Sequence, residues 1–522
     1  MSINKLSIIY ALCSVLFLSG CGPQAQWGAH YGEGPVGDAI ELDTPSRIYG
    51  GERNIAVILP DSALGKSVRT AVEMAFIQKR ASNVNVNFMD LSGGADNRKL
   101  VLESALRQNP DLIIGPIFAE DADMLRNLKP ARTPVLSFTS DATALGGGIM
   151  TMSLIPSQSV ETIIRRMPQE NKRELLILAP DSASGYVMGH AALDSAAIHG
   201  IRIAGLYYYT AGNMDSMKNT AENATMFNAR SSANMRAKEI LSDILMNKEA
   251  SSADKALVSM QLEERNKSDT IGDVPYDAVL FLGNATDSKA LGSFLRYYDA
   301  PARKVKFYGT AMWDNEAMFR DMTFSGASYA AMPAISPEFA NAYREITDTD
   351  PGRISSMGYD AAMLAIRALG SERSEMEFLT NPSGFRGIDG LIRLRPNGTS
   401  ERALQVMTLD ASGAPKITVT AATNFIKPLY LVTGQNGSRP SERKLSAGIN
   451  PLDYIKLPES MRGKYSAKTY RQGPVTDHQS PITSHEVIIL PEDDSEPIID
   501  TEFEPMELES VSRVLVDEVT VR

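Results

Sequence analysis

Cysteine, histidine and long apolar runs are the scarce features of this 522-residue chain. Its two cysteines are Cys13 and Cys21, too few for a disulfide framework or a four-thiolate metal site. The five histidines, His30, His190, His199, His478 and His485, contain no H-E-x-x-H pair, which excludes the helix-borne zinc site of metalloproteases. There is no G-x-S-x-G turn to expose a nucleophilic serine, and the adjacent carboxylates Asp493 and Asp494 stand in a polar terminal stretch that cannot hold acid–base geometry. No apolar run approaches the about 20 residues that span a bilayer. Acidic residues outnumber basic ones, 63 to 52, so no basic face for nucleic acid is expected. The reading is a chain that is not an enzyme and needs no cofactor or metal.

One stretch tests that reading. "PDSALGKS" at 60–67 follows an apolar run and ends in Gly65-Lys66-Ser67, like the close of a phosphate-binding loop. Such a loop needs a glycine at its first position so that backbone N–H groups curl around phosphate. Pro60 stands there and has no N–H to give.

What is present begins at the N-terminus. "MSINKLSIIYALCSVLFLSGCG" has a short polar start with Lys5, then an apolar core from Leu6 to Gly20. That core is long enough for an export signal and too short to span. Its ending, Leu18-Ser19-Gly20-Cys21, resembles the lipobox of bacterial lipoproteins, in which the cysteine is acylated and becomes the mature N-terminus. Residues 1–20 are therefore expected to be a signal peptide and Cys21 the lipid attachment site. Gly22 follows rather than Asp, which favours an outer-membrane anchor facing the periplasm of a Gram-negative bacterium.

Residues 21–53 are rich in Gly and Pro without a sustained apolar period and read as a tether. From Asn54 short apolar runs alternate with helical stretches. "NIAVIL" reads as a buried strand, and 64–80 puts Val68, Val72, Ala75 and Phe76 on one helical face. "VNVNFMD", a helix near 97–107, "DLIIG", a helix near 120–128 and "TPVLSF" follow. Near Pro156 the pattern restarts with "ELLILAP", a helix across 187–198, "IRIAGLYYYT", "YDAVLFLG", a helix near 287–297 and "VKFYGT". The phrase Pro-Asp-Ser-Ala occurs at 60–63 and again at 180–183, each time closing the first strand of a unit. The fold class expected is α/β, with two doubly wound parallel-sheet lobes.

Two segments depart from the alternation. Between Ala211 and Pro275 a polar helical stretch interrupts the second unit between two strands expected to be adjacent, with Ile240, Ile244 and Leu245 as an apolar stripe. It either covers the lobe's edge or offers a docking surface to a partner protein. From 435 to 522 periodicity is lost, and an acidic, largely disordered tail is expected. From Glu486 onward twelve acidic residues face two arginines.

At this length the sequence resembles the type I periplasmic binding proteins over roughly Asn54 to Gly413. "NIAVILPDSALGKSVRTAVEMAF" is similar to their opening strand and helix, "PDLIIGPIFAED" to the I-I-G-P segment, and "TPVLSFTSD" to the strand that reaches the cleft. "YDAVLFLGN", "KFYGTAMWD" and "SYAAMPAISPEFANAYREI" resemble the second lobe and the return crossover. "MGYDAAMLAIRAL" and "GFRGIDGLIRLRPNGTSERALQVMTLD" resemble the Y-D-A helix and the closing hairpin. The resemblance implies a three-strand hinge and a cleft for small ligands within a domain of 54–434. Lobe one would be about 54–153 and 334–400, and lobe two about 157–331 and 402–412.

The cleft residues it implies are Ser62, Ser137, Thr139, Ser140, Tyr186 and Asn284. Amino-acid-binding members carry a hydroxyl residue just after the G-P segment, and Ala119 stands there. Within the family, a lipobox joined to this domain most resembles the lipoprotein activators of penicillin-binding proteins. That implies a peptidoglycan synthase as partner. The alternative is the substrate-binding lipoprotein of an ABC importer for amino acids or another small molecule.

Overall fold

The computed structural model describes residues 37–43, 52–80, 83–314, 321–425, 437–446 and 448–465. The expected signal peptide (1–20), Cys21 and the acidic end lie outside the described residues. Among the described residues no helix is long and apolar enough to cross a membrane.

A short N-terminal strand β1 (Ile40–Glu41) precedes the first lobe. That lobe is built on β2 (Arg53–Leu59), β3 (Val84–Asp90), β4 (Leu112–Ile114), β5 (Val135–Ser137) and β6 (Ile149–Thr151). They form one parallel sheet in the order β3-β2-β4-β5-β6. Helices α1 (Ala63–Lys79), α2 (Ala95–Arg107) and α3 (Ala119–Leu128) return the chain between strands. Both faces are covered, so central strands are apolar at every position, as in the fully buried Ile55–Ile58. β3 lies at the edge and alternates instead: Val84, Val86 and Phe88 pack inward while the intervening asparagines do not.

The second lobe opens with α4 (Pro156–Arg166) and the strands β7 (Glu174–Pro180) and β8 (Arg202–Tyr209), joined by α5 (Ala183–His199). Then come α6 (Met214–Ala224), α7 (Phe227–Met246) and α8 (Ser252–Asn266). β9 (Ala278–Phe281), α9 (Ala285–Tyr297), β10 (Lys306–Gly309) and β11 (Ser328–Ala331) complete the parallel part. The chain returns to lobe one through α10 (Pro337–Thr347), α11 (Arg353–Leu369) and α12 (Glu375–Leu379). There β12 (Phe385–Gly387), β13 (Gly390–Leu394) and β14 (Ser400–Arg402) form an antiparallel meander, with β1 added in parallel. Finally β15 (Gln405–Leu409) and β16 (Pro415–Val419) join the second sheet, whose order is β16-β15-β11-β10-β9-β7-β8. The chain thus changes lobes at 152–155, 332–336 and 403–404, and the architecture is two α/β lobes joined by three crossovers.

The repeated phrase has a common physical cause. Ser62 and Ser182 each cap the following helix, accepting a bond from the N–H of Gly65 at 3.2 Å and of Gly185 at 3.3 Å. A Cβ at Gly65 would lie 1.9 Å from the Pro60 carbonyl oxygen, and one at Gly185 would lie 2.0 Å from that of Pro180. Each helix can approach its strand end this closely only because glycine stands there.

Three sequence expectations are corrected. Residues 37–43 do not behave as free tether, because β1 pairs with β12 and Leu42 is buried in the lobe-one core. The two strands flanking the 211–275 excursion are not neighbours: β7 lies between β8 and β9, so the excursion sits on a crossover. The stretch from 435 is not structureless throughout, since 437–446 and 448–465 form a strap on lobe two. Arg443 pairs with edge-strand residue Leu206 through two 3.0 Å backbone bonds. Ile455, Met461 and Tyr465 fill the apolar stripe of α7 and α8 beside Ile240, Leu241, Ile244 and Val258. These apolar residues are too widely spaced for a helical or strand period, yet the excursion supplies a surface that buries them.

Candidate functional site

Open α/β sheets bind ligands beyond the carboxyl ends of their strands, where the strand order reverses. In lobe one that point lies between β2 and β4, and in lobe two between β7 and β9. The six sequence-predicted residues gather at these ends in two groups. Ser62 follows β2, Ser137 ends β5 and Thr139 and Ser140 follow it in lobe one, while Tyr186 and Asn284 follow β7 and β9 of lobe two.

Most of their polar atoms are engaged by the chain itself. Ser62 and Asn284 are helix caps, the latter accepting from the Asp287 N–H at 2.8 Å. Ser137 is fully buried and donates to the Pro116 carbonyl at 2.9 Å. The Thr139 hydroxyl oxygen accepts from the Asp141 N–H at 3.1 Å. Ser140 is buried beside them. Tyr186 donates to Asp181 at 2.5 Å. That bond, helped by Arg439, holds the Asp181 carboxyl below its ordinary value, and the same bond raises the Tyr186 phenol with Arg439 opposing. Ala119 is the first residue of α3, where no side chain caps the helix.

Sequence reading missed the charged pair between the lobes. Arg353, at the start of α11, lies 3.7 Å from Asp314, which follows β10 of lobe two. Each side chain is about a third exposed. Arg353 also donates to the Pro333 carbonyl at 2.5 Å and the Met332 carbonyl at 3.2 Å, in the second crossover. Burial raises the Asp314 carboxyl, with the Arg353 charge opposing it. Burial likewise lowers Arg353, with Asp389 and Asp314 opposing. The available signal was positional: Asp314 closes "KFYGTAMWD", and Arg353 opens the helix after the return crossover.

Two cavities lie on lobe one. One, of about 430 Å³, sits between α10, α11 and the docked N-terminal segment, with Phe339, Tyr359 and Met363 in its wall. The other, of about 440 Å³, is bounded by Pro60, Lys66, Arg69 and Phe88. The Lys66 ammonium there makes an exposed pair with Asp61 at 2.9 Å, and the Ser67 hydroxyl bonds to Ser355 at 2.6 Å. Among the described residues no group of three or more His, Cys, Asp or Glu side chains is placed to hold a metal ion.

No protein-family model matches the chain, and no curated protein does. Solved structures do match. One is a protein from Rhodospirillum rubrum named as a branched-chain amino acid ABC transporter, at TM-score 0.50 and 13% identity, covering 70% of this chain and 99% of that one. Another is the leucine-binding protein LivK of Thermotoga maritima, at TM-score 0.42 and 15% identity, covering 71% and 98%. A third is Haemophilus influenzae LpoA, at TM-score 0.47 and 16% identity, covering 71% of this chain and 59% of that one. With the two parallel sheets and three crossovers, this likeness establishes that the chain has the type I periplasmic-binding-protein fold.

Proposed function

We propose that this chain is a non-enzymatic outer-membrane lipoprotein, anchored through Cys21 and facing the periplasm. In this reading its two-lobed domain regulates peptidoglycan synthesis by contacting a penicillin-binding protein. The observation that carries the reading is the Arg353–Asp314 pair, which uses the charges between the lobes internally. A receptor for a zwitterion needs free polar groups converging from both lobes, because an unpaired buried charge costs several kcal/mol. The hydroxyls of Ser137 and Thr139 are spent on the chain's own backbone, and Ala119 offers none. The lipobox and the resemblance to lipoprotein activators supply the membrane and the synthase.

A second reading, the binding component of an amino-acid importer, is favoured by the fold shared with the Rhodospirillum rubrum protein. Titration calorimetry with leucine, isoleucine, valine and glutamate separates the two. The regulator reading expects no binding tighter than about millimolar, near −4 kcal/mol. Micromolar binding that Tyr186→Ala abolishes would make this an importer's receptor. A cross-linked pull-down from membranes should recover a penicillin-binding protein rather than an ABC permease. Palmitate labelling should disappear in Cys21→Ser.

A further inference from the structure

The strap brings a cation to the mouth of lobe two. Arg439 meets Asp181 with Nε 2.9 Å from Oδ1 and Nη2 3.4 Å from Oδ2. Its guanidinium carbon lies 4.4 Å from the centroid of the Tyr208 ring. Tyr186 donates to the same carboxylate and stands edge-on to Tyr208, with centroids 5.6 Å apart at 82°. Glu442 of the strap accepts from the same Nη2 at 3.2 Å. A carboxylate beside two aromatic side chains is the surrounding that a guanidinium or ammonium selects.

We infer that Asp181, Tyr186 and Tyr208 form a cation-binding corner at the carboxyl end of β7, on the side of the edge strand β8, filled in cis by Arg439. Residues 437–446 then act as a tethered competitor for any small guanidinium or ammonium ligand. The arginine side chain is 42% exposed and the aspartate 38%, so the contact exchanges with solvent. The strap around it is held independently, by Leu206–Arg443 pairing, by a 2.9 Å contact between His190 and the Ser438 carbonyl, and by the Leu445 N–H donating to Tyr207 at 2.7 Å. Losing the arginine contact therefore vacates the corner without releasing the strap. A tethered group acts at an effective concentration on the order of millimolar, which a weak free ligand does not overcome. The inference holds whichever partner the domain serves.

Agmatine, a small guanidinium with no carboxylate, is the probe, titrated calorimetrically into the full chain. Wild type and Arg439→Lys, which keeps a cation in place, should show no saturable binding below about 10 mM. Arg439→Gln should bind at least about tenfold more tightly. Arg439→Gln/Asp181→Asn should lose that gain. Equal affinity in wild type and Arg439→Gln would overturn the inference. So would absence of binding to an Arg439→Gln protein whose thermal midpoint matches wild type.

Discussion

Arg402 and Asp389 meet at 2.9 Å with side chains 1% and 0% exposed. Arg402 ends β14, just before the third crossover, and it also donates to the Met152 carbonyl of the first crossover, at 2.5 Å through Nη2. Asp389 accepts from Ser356 on α11 at 2.8 Å. One buried pair thus ties two of the three crossovers to the lobe-one helix.

Replacing Arg402 with Met should leave the Asp389 charge in the interior without its main partner. Removing one member of a buried pair costs about 3–5 kcal/mol. Chemical denaturation should show that loss. An unchanged midpoint would mean the pair does not hold the hinge.

Asp360 gives a pH dependence. Its carboxyl is fully buried beside Asp389, and burial first, then the Asp389 charge, raises it well above the carboxylate range. The folded state therefore holds a proton that the unfolded chain releases near pH 4. The stability this contributes is fully present below that pH and is lost as pH rises through the folded value. Asp360→Asn should remove this slope, so the variant loses less stability than wild type between pH 4 and neutrality. Thermal melts across that range test it, and parallel pH curves would count against a protonated Asp360.

Gly65→Ala and Gly185→Ala should each destabilise, because the added methyl meets a carbonyl oxygen at about half a normal contact distance. Overpacking of this kind costs about 1–3 kcal/mol. The two positions are in different lobes and share no partner, so the double variant should add within about 0.5 kcal/mol. Denaturation midpoints of the three variants decide it.

Ile455→Ala should loosen the excursion specifically. The side chain is 8% exposed and packs in a cluster of its own with α7 and α8. Truncating such a residue costs about 2–5 kcal/mol. Hydrogen exchange should rise across 227–266 and stay near wild type in β2 and β7. Uniform acceleration over the whole chain would mean the excursion is not a separate unit.

What the sequence determined by itself is local and periodic. Strands with unbroken apolar runs, such as "NIAVIL" and "ELLILAP", specify sheet buried on both faces, whereas the helix expected across 187–198 begins four residues earlier, at Ala183. The expected helices 64–80 and 120–128 differ from α1 and α3 by one residue at the ends that moved. These signals are carried by neighbours within a few positions, so one chain suffices to read them. The resemblance then supplied the order of the lobes.

What only the tertiary structure decided depends on residues far apart in the chain. Asp314 and Arg353 meet across two lobes, and Arg439 reaches Asp181 from 258 positions away. Ile40 and Leu42 look like tether until β12 offers them an edge and a core. Ile455 and Met461 look like tail until α7 and α8 present an apolar stripe. A scattered apolar or charged residue gains its energy from the surface it meets, and that surface exists only once the lobes have formed.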